Sequence, residues 1–307
     1  MQKEGDYMSE ITNLATDTKL TETDIRAIRR FMWIVWGEKG FKADNKDSLT
    51  VMKDELKNTK FVIVKVEVIF RLYHTDANTK KIYELNPDTL EVMRSVDSAF
   101  GTPDSIGGGW DGSKMRLFHT DGAIKRIYEL NPDTLMSIKS GNSIHSMPTG
   151  IGGGWDGEKL RLYHVDSSIR RTYELNTETL QVINTGKSYK GKVTGIGGGW
   201  DGGRLRLFLV SNEVLNIYEL NLYTLQHIRG DIGGGVAFPR DVGGGYDGNK
   251  LRFYFTSTNR KEIFELNLST SQRTNSVASF GDMPIGIGGT CSIRKYVEYN
   301  DERIYLT

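Results

Sequence analysis

Ile151-Gly152-Gly153-Gly154-Trp155-Asp156-Gly157 is the stretch on which the reading of this chain turns. The same string begins at Ile106 and Ile196. It returns as Val-Gly-Gly-Gly-Tyr-Asp-Gly from Val242, and is cut to Ile-Gly-Gly from Ile287. The starts lie 45, 45, 46 and 45 residues apart, and self-similarity at such a period marks a repeat architecture. A second landmark runs in phase. Ile-Tyr-Glu-Leu-Asn-Pro-Asp-Thr-Leu begins at Ile82 and Ile127, with variants from Thr172, Ile217 and Ile263. Units 106–150 and 151–195 share 25 of 45 residues. Residues 61–105, 106–150, 151–195, 196–241 and 242–286 read as full units, and 287–307 as a partial one.

Within a unit the pattern predicts four short strands. The Ile-Gly-Gly-Gly-Trp string is the first, and the Asp-Gly after it is a tight-hairpin signal. Lys-Leu-Arg-Leu-Tyr-His and its variants form the second strand, and Ile-Tyr-Glu-Leu-Asn the third. Asn-Pro-Asp-Thr supplies the next turn, and Leu90-Glu91-Val92-Met93-Arg94 and its equivalents the fourth strand. Four strands in about 45 residues is the period of a propeller blade. A helical repeat of that length needs sustained 3.6 periodicity, which triple glycine breaks.

The IGGGWDG starts and YELNPDTL strands resemble the blade repeats of the broad YWTD/NHL/YVTN-like β-propellers over residues 61–307. The YWTD tetrad itself, the WD-repeat signature and the repeated Asp motif of sialidases are absent. The expected fold is therefore an all-β propeller of six blades, with seven as the alternative. The partial unit 287–307 would be closed by an N-terminal strand within 47–60, where Ser48-Leu49-Thr50-Val51-Met52-Lys53 matches the fourth strands in type. Leu49, Met52 and Leu56 also fall at helical spacing, which keeps a helix open there. Residues 1–46 are read as an extension. Thr21 to Asp24 look like a helix start, and Ile25, Ile28, Met32 and Val35 share one helical face, so a helical cap is expected.

Composition narrows the function. Forty basic residues stand against 39 acidic, a net charge of +1, so bulk charge offers no attraction to nucleic acid or to an anionic membrane. The lone Cys291 excludes an internal disulfide framework and Cys-rich metal sites. No apolar run approaches the roughly 20 residues of a membrane helix. Met1 to Glu10 is polar and acidic, unlike a secretory leader, and with the single cysteine this points to the cytoplasm.

Several residues repeat with the units. Trp110, Trp155, Trp200 and Tyr246 recur at the first hairpin, as wedges between blades or as stacking surfaces for sugar rings. Arg71, Arg116, Arg161, Arg206 and Arg252 recur on second strands. Glu84, Glu129, Glu174, Glu219 and Glu265 recur 13 residues later on third strands, as a cross-strand ladder or as part of a sugar site. His74, His119 and His164 each open a His-x-Asp with Asp76, Asp121 and Asp166. One such pair per blade does not complete a metal shell, and a turn-capping or inter-blade hydrogen-bonding role is expected. The residues ahead of the first strands, Asp104, Ser105, Thr149, Thr194, Arg240 and Asp241, line an axial mouth. Arg240 and Asp241 stand out because they end an insertion that breaks the period. No convergent acid/base pair or nucleophilic set is visible. No catalytic residue, metal or cofactor is therefore assigned. The expected function is a non-catalytic module that binds a protein or glycan, with no nucleic acid and no membrane insertion. A multivalent lectin is the alternative, and an axial hydrolase or lyase a third reading.

Overall fold

The structure is a computed structural model. It describes residues 64–98, 101–143, 147–189, 191–213, 215–230, 232, 239–281, 283–299 and 302–306. The expected cap in 1–46 and the expected closing strand in 47–60 lie outside the described residues. Two compact units are present, residues 68–293 and residues 1–67 with 294–307.

Strands β1 (Val64–Asp76), β2 (Lys81–Leu85) and β3 (Val92–Asp97) follow one another in the first sheet. The next sheet is β4 (Pro103–Trp110), β5 (Met115–Asp121), β6 (Arg126–Leu130) and β7 (Ser137–Asn142). The third is β8 (Pro148–Trp155), β9 (Leu160–Asp166), β10 (Arg171–Leu175) and β11 (Val182–Thr185). The fourth is β12 (Val193–Trp200), β13 (Leu205–Ser211), β14 (Asn216–Leu220) and β15 (His227–Arg229). The fifth is β16 (Pro239–Tyr246), β17 (Leu251–Ser257), β18 (Glu262–Asn267) and β19 (Gln272–Ala278). Strand β20 (Pro284–Tyr299) then pairs beside β1 and completes the first sheet. In the smaller unit the described residues form a hairpin, in which β20 from Lys295 onward pairs with β21 (Glu302–Leu306). Among the described residues there is no helix.

The ring therefore has five blades, not six. Unit 61–105 contributes three strands rather than four, because Phe61-Val62-Ile63-Val64-Lys65-Val66-Glu67 has neither the triple glycine nor the Asp-Gly of the other units. Its inner strand comes from the other end of the sequence, as β20 with Ile287-Gly288-Gly289. The five in-phase Ile/Val-Gly-Gly strings, from Ile106, Ile151, Ile196, Val242 and Ile287, count the blades.

Glycine is required at the axis because backbone meets backbone there. A Cβ on Gly107 would lie 3.0 Å from the Gly152 Cα; on Gly152, 2.8 Å from that of Gly197; on Gly197, 2.8 Å from that of Gly243. On Gly243 it would lie 2.6 Å from the Gly288 Cα, and on Gly288 2.6 Å from that of Gly107, which closes the circle. The narrow axial space bounded by these strands leaves no room for a water molecule. Farther out, aromatic and aliphatic side chains such as Phe118, Leu162, Phe208 and Phe253 fill the gaps between sheets. Burial of each contributes about 1.5–3 kcal/mol.

Side-chain caps fix the corners. In the second sheet, Asp111 Oδ1 accepts from the Ser113 and Lys114 amides, Asp121 Oδ1 from Ala123 and Ile124, and Asn131 Oδ1 from Asp133 and Thr134. The Asp-Gly corner is a four-residue loop with Gly112 at φ 100°. The third turn ends on a leucine with positive φ, Leu135 at 58°, and its burial offsets the roughly 1–2 kcal/mol that this backbone costs.

Candidate functional site

The repeated arginines are engaged on two sides. Arg116 Nε and Nη2 donate to Glu129 Oε1 and Oε2 at 2.7 and 2.8 Å. The residue opposite Glu129 is Phe118, so the pair runs diagonally across the ladder. Nη2 also donates to the Thr177 carbonyl at 2.9 Å and Nη1 to Glu178, both on the third turn of the following blade. Arg71 binds Glu84 at 2.6 and 2.8 Å, then Pro132 O at 2.8 Å and Asp133 at 2.7 Å. Arg252 likewise joins Glu265 to the Pro87 carbonyl and Asp88. Arg206 pairs with Glu219. Arg161 divides its donors between Asp156 and Glu174 and lies 4.8 Å from the Tyr223 ring centre. The side chains of Arg116 and Glu129 are only 5% and 6% exposed. Burial works against the Arg116 charge, yet the hydrogen bonds to Glu129 and Glu178 outweigh it and raise its pKa. Arg71, Arg116 and Arg252 thus hydrogen-bond their blade to the next, Arg161 reaches the next blade through the Tyr223 ring, and Arg206 bonds within its own blade.

The hairpin aromatics are half-buried. A Cβ on Gly112 would lie 3.2 Å from the Trp155 ring, one on Gly157 3.8 Å from Trp200, and one on Gly202 3.8 Å from Tyr246. Trp155, Trp200 and Tyr246 therefore lie over the Asp-Gly corner of the preceding blade and remain part-exposed.

The histidines are interior groups. His74, His119 and His164 stack on Tyr83, Tyr128 and Tyr173 with ring centres 5.7, 4.9 and 5.9 Å apart. His74 Nδ1 lies 2.8 Å from the Gly286 carbonyl. Burial lowers the pKa of His74 and of His119 to about 4. The aspartates of the same motif cap turns, as Asp76 does for the Asn78 and Thr79 amides. Among the described residues no three His, Cys, Asp or Glu side chains gather in a metal-holding group.

The axial mouth brings together what lies far apart in sequence. Each inner strand β4, β8, β12 and β16 starts with a bulge, which places Asp104, Thr149, Thr194 and Arg240 out of register. Bulges re-aim side chains in this way. Arg240 Nη2 and Asp104 Oδ1 meet at 3.6 Å. One layer deeper the five blades present Ser105, Gly150, Gly195, Asp241 and Gly286. Ser105 Oγ donates to Asp241 Oδ2 at 2.6 Å and accepts from the Ile151 amide at 3.0 Å. The Ile287 amide donates to the same Asp241 oxygen at 3.2 Å. Asp241 is 1% exposed, and its Oδ1 has no hydrogen-bond partner. A Cβ on Gly195 would fall 2.2 Å from that oxygen, so glycine there makes room for the carboxyl. Burial raises the Asp241 pKa well above the carboxylate range, against the opposing hydrogen bonds from Ser105 and Ile287. The carboxyl joins Ser105 to the closing strand β20. Asp241 and Ser105 were expected at the mouth separately; their bond has no local signature, because 136 residues separate them.

This fold and its axial packing define a five-bladed repeat β-propeller. No protein-family model and no curated protein matches the sequence. Solved structures similar to it include a nidogen/laminin complex, at 15% identity over 72% of this chain and 98% of that one, TM-score 0.46. A protein of unknown function from Bacteroides caccae is 12% identical over 72% of this chain and 98% of its own, TM-score 0.46. Streptogramin B lyase is 15% identical over 74% of this chain and 72% of its own, TM-score 0.42. These are likenesses of fold.

Proposed function

We propose that this ring is a non-catalytic binding module that recognises a protein or another macromolecule through the face built from the second turns and the loops entering the inner strands. One observation carries the reading: the repeated polar residues are engaged within the ring, while the blades differ from one another on that face. Arginines and glutamates strap blades together, aspartates cap corners, and the axial space is too narrow for water. Among the described residues, the loops entering β4, β8 and β12 contribute, by contrast, Ser98, Gly101 and Thr102 to the first, Ser143 and Met147 to the second, and Gly186, Lys187, Ser188, Tyr189, Gly191 and Lys192 to the third.

Arrays of purified proteins and glycans probed with the intact chain test the proposal, beside a screen for small-molecule turnover. Support is a binder whose affinity falls tenfold or more, by roughly 1.4 kcal/mol, on Lys192→Gln with Arg170→Gln. Turnover abolished by Asp241→Asn would refute it. The half-buried Trp155 and its equivalents favour a second reading, a lectin. Glycan binding lost in a folded Trp155→Ala protein would put that reading first.

A further inference from the structure

The balanced net charge conceals an uneven distribution. The second turns, residues 77–80, 122–125, 167–170, 212–215 and 258–261, all lie at the end of the ring where the inner strands begin. Glu213 is the one acidic residue in them. Basic residues crowd the same places. Lys80, Lys125, Arg170 and Arg260 are exposed in the turns, and exposed Arg126 and Arg171 open the third strands beside them, where the fifth blade has Glu262. The opposite face is different. Its first hairpins set one aspartate against one Lys or Arg, and its third turns add Asp88, Asp133 and Glu178.

Aliphatic side chains share the tips with these cations. Ile124, Ile169 and Leu215 are 46%, 38% and 45% exposed on three successive blades. The neighbouring entry loops add exposed Met147, Phe280 and Met283. Those loops are tied to the turns, since the Ser167 amide donates to the Met147 carbonyl and the Ala77 amide to that of Met283. Asp76, Asp121 and Asp166 fix the tip backbones from below. Beside Arg170 a recess of about 500 Å³ is lined by Ser167, Ser168, Lys192, Asn212 and Glu213. There the Glu213 carboxylate accepts from the Lys192 amide, an anion held among cationic groups.

From this pairing of cations with exposed aliphatic tips on one rigid face, we infer that the face docks on an anionic lipid bilayer. Lys and Arg engage acidic headgroups, and the isoleucines and leucine enter the boundary of the acyl region. A soluble polyanion would use the cations and leave the aliphatic tips exposed to water. The inference rests on the binding-module reading and names its surface.

Flotation of the intact chain with vesicles of phosphatidylcholine, alone or with 30% phosphatidylserine, tests it. Binding is expected to the mixed vesicles and to weaken with added salt. Each basic residue near such a surface is worth about fivefold in partition, equivalent to about 1 kcal/mol, so Lys125→Gln with Arg170→Gln should lower it about 25-fold. Ile124→Ser with Ile169→Ser should weaken binding to vesicles but not to heparin or duplex DNA. Equal partition into neutral and mixed vesicles, or unchanged binding by folded forms of both variants, would overturn the inference. So would tight heparin or DNA binding without vesicle binding. The array experiment above still decides the module reading in each of those cases.

Discussion

Replacing Asp241 with asparagine should make the ring more stable at neutral pH, although it alters the most buried carboxyl at the axis. In the folded chain this carboxyl has a pKa well above 3.8 because it is out of water; in the unfolded chain it ionises normally. A group raised on folding favours the native state fully below the unfolded value, and that contribution is lost as pH climbs toward the folded value. From about pH 4 upward, each pH unit therefore costs the wild type about 1.4 kcal/mol. Asparagine keeps a carbonyl to accept from Ser105 and Ile287 and never ionises. Urea unfolding of both proteins from pH 4 to 8 is the assay. The variant should match the wild type near pH 4, and gain about 1.4 kcal/mol per unit until the folded pKa is passed, where the difference levels off. Groups common to both proteins cancel in that difference. A variant less stable by the same amount at every pH would show that burial does not raise the Asp241 pKa, and would refute the reasoning. Asp241→Ala removes the acceptor for both donors, so it should lose about 1–3 kcal/mol against the asparagine form.

Two further outcomes follow from buried groups. His74 and His119 have folded pKa values of about 4 against 6.5 when unfolded, so their contribution is complete above pH 6.5 and disappears as pH falls through 4. Each should account for about 3 kcal/mol of acid sensitivity, and His119→Phe should flatten the stability profile between pH 6.5 and 4 in the same titration. Arg116→Met alone leaves Glu129 buried without its main partner and should cost about 3–5 kcal/mol. Adding Glu129→Leu should recover most of that in thermal unfolding.

The parts of the fold legible in the sequence are those set by local chemistry. Asp111, Asp121 and Asn131 announce three corners of a blade because each caps the two or three amides that follow it. The Arg–Glu spacing of 13 was readable because two antiparallel strands joined by a four-residue turn hold the register fixed. The inter-blade anchors of Arg71, Arg116 and Arg252 were not. Among their acceptors are the Pro132, Thr177 and Pro87 carbonyls, and a carbonyl has no residue signature. Leu90 and Leu135 read as the start of a fourth strand, yet both end a turn with positive φ, a state that burial imposes and propensity does not reveal. Counting 61–105 as a full unit, and 287–307 as a partial one closed by a strand from 47–60, predicts six blades. The period alone does not identify an inner strand. An inner strand must let two neighbouring backbones touch, and only the Ile/Val-Gly-Gly strings do that.

The same constraint changes what a break in the repeat means. Arg240 and Asp241 drew attention because the period slips there, and broken symmetry in a repeat is commonly read as a site. A fivefold layer at an axis has little choice, however. A Cβ at Gly150, Gly195 or Gly286 would lie 2.9, 2.5 or 2.7 Å from the next Cα, so three of the five positions admit only glycine. One aspartate, one serine and three glycines fill the layer, with the carboxyl spanning the blade whose inner strand is β20. Departure from the repeat at the axis is therefore a consequence of packing. The turns around Lys125 and Arg170 carry no such constraint, because their backbones are already fixed by Asp121 and Asp166 and their side chains reach solvent. Differences between blades on that face are free of the ring's own requirements, and the proposed docking surface lies there.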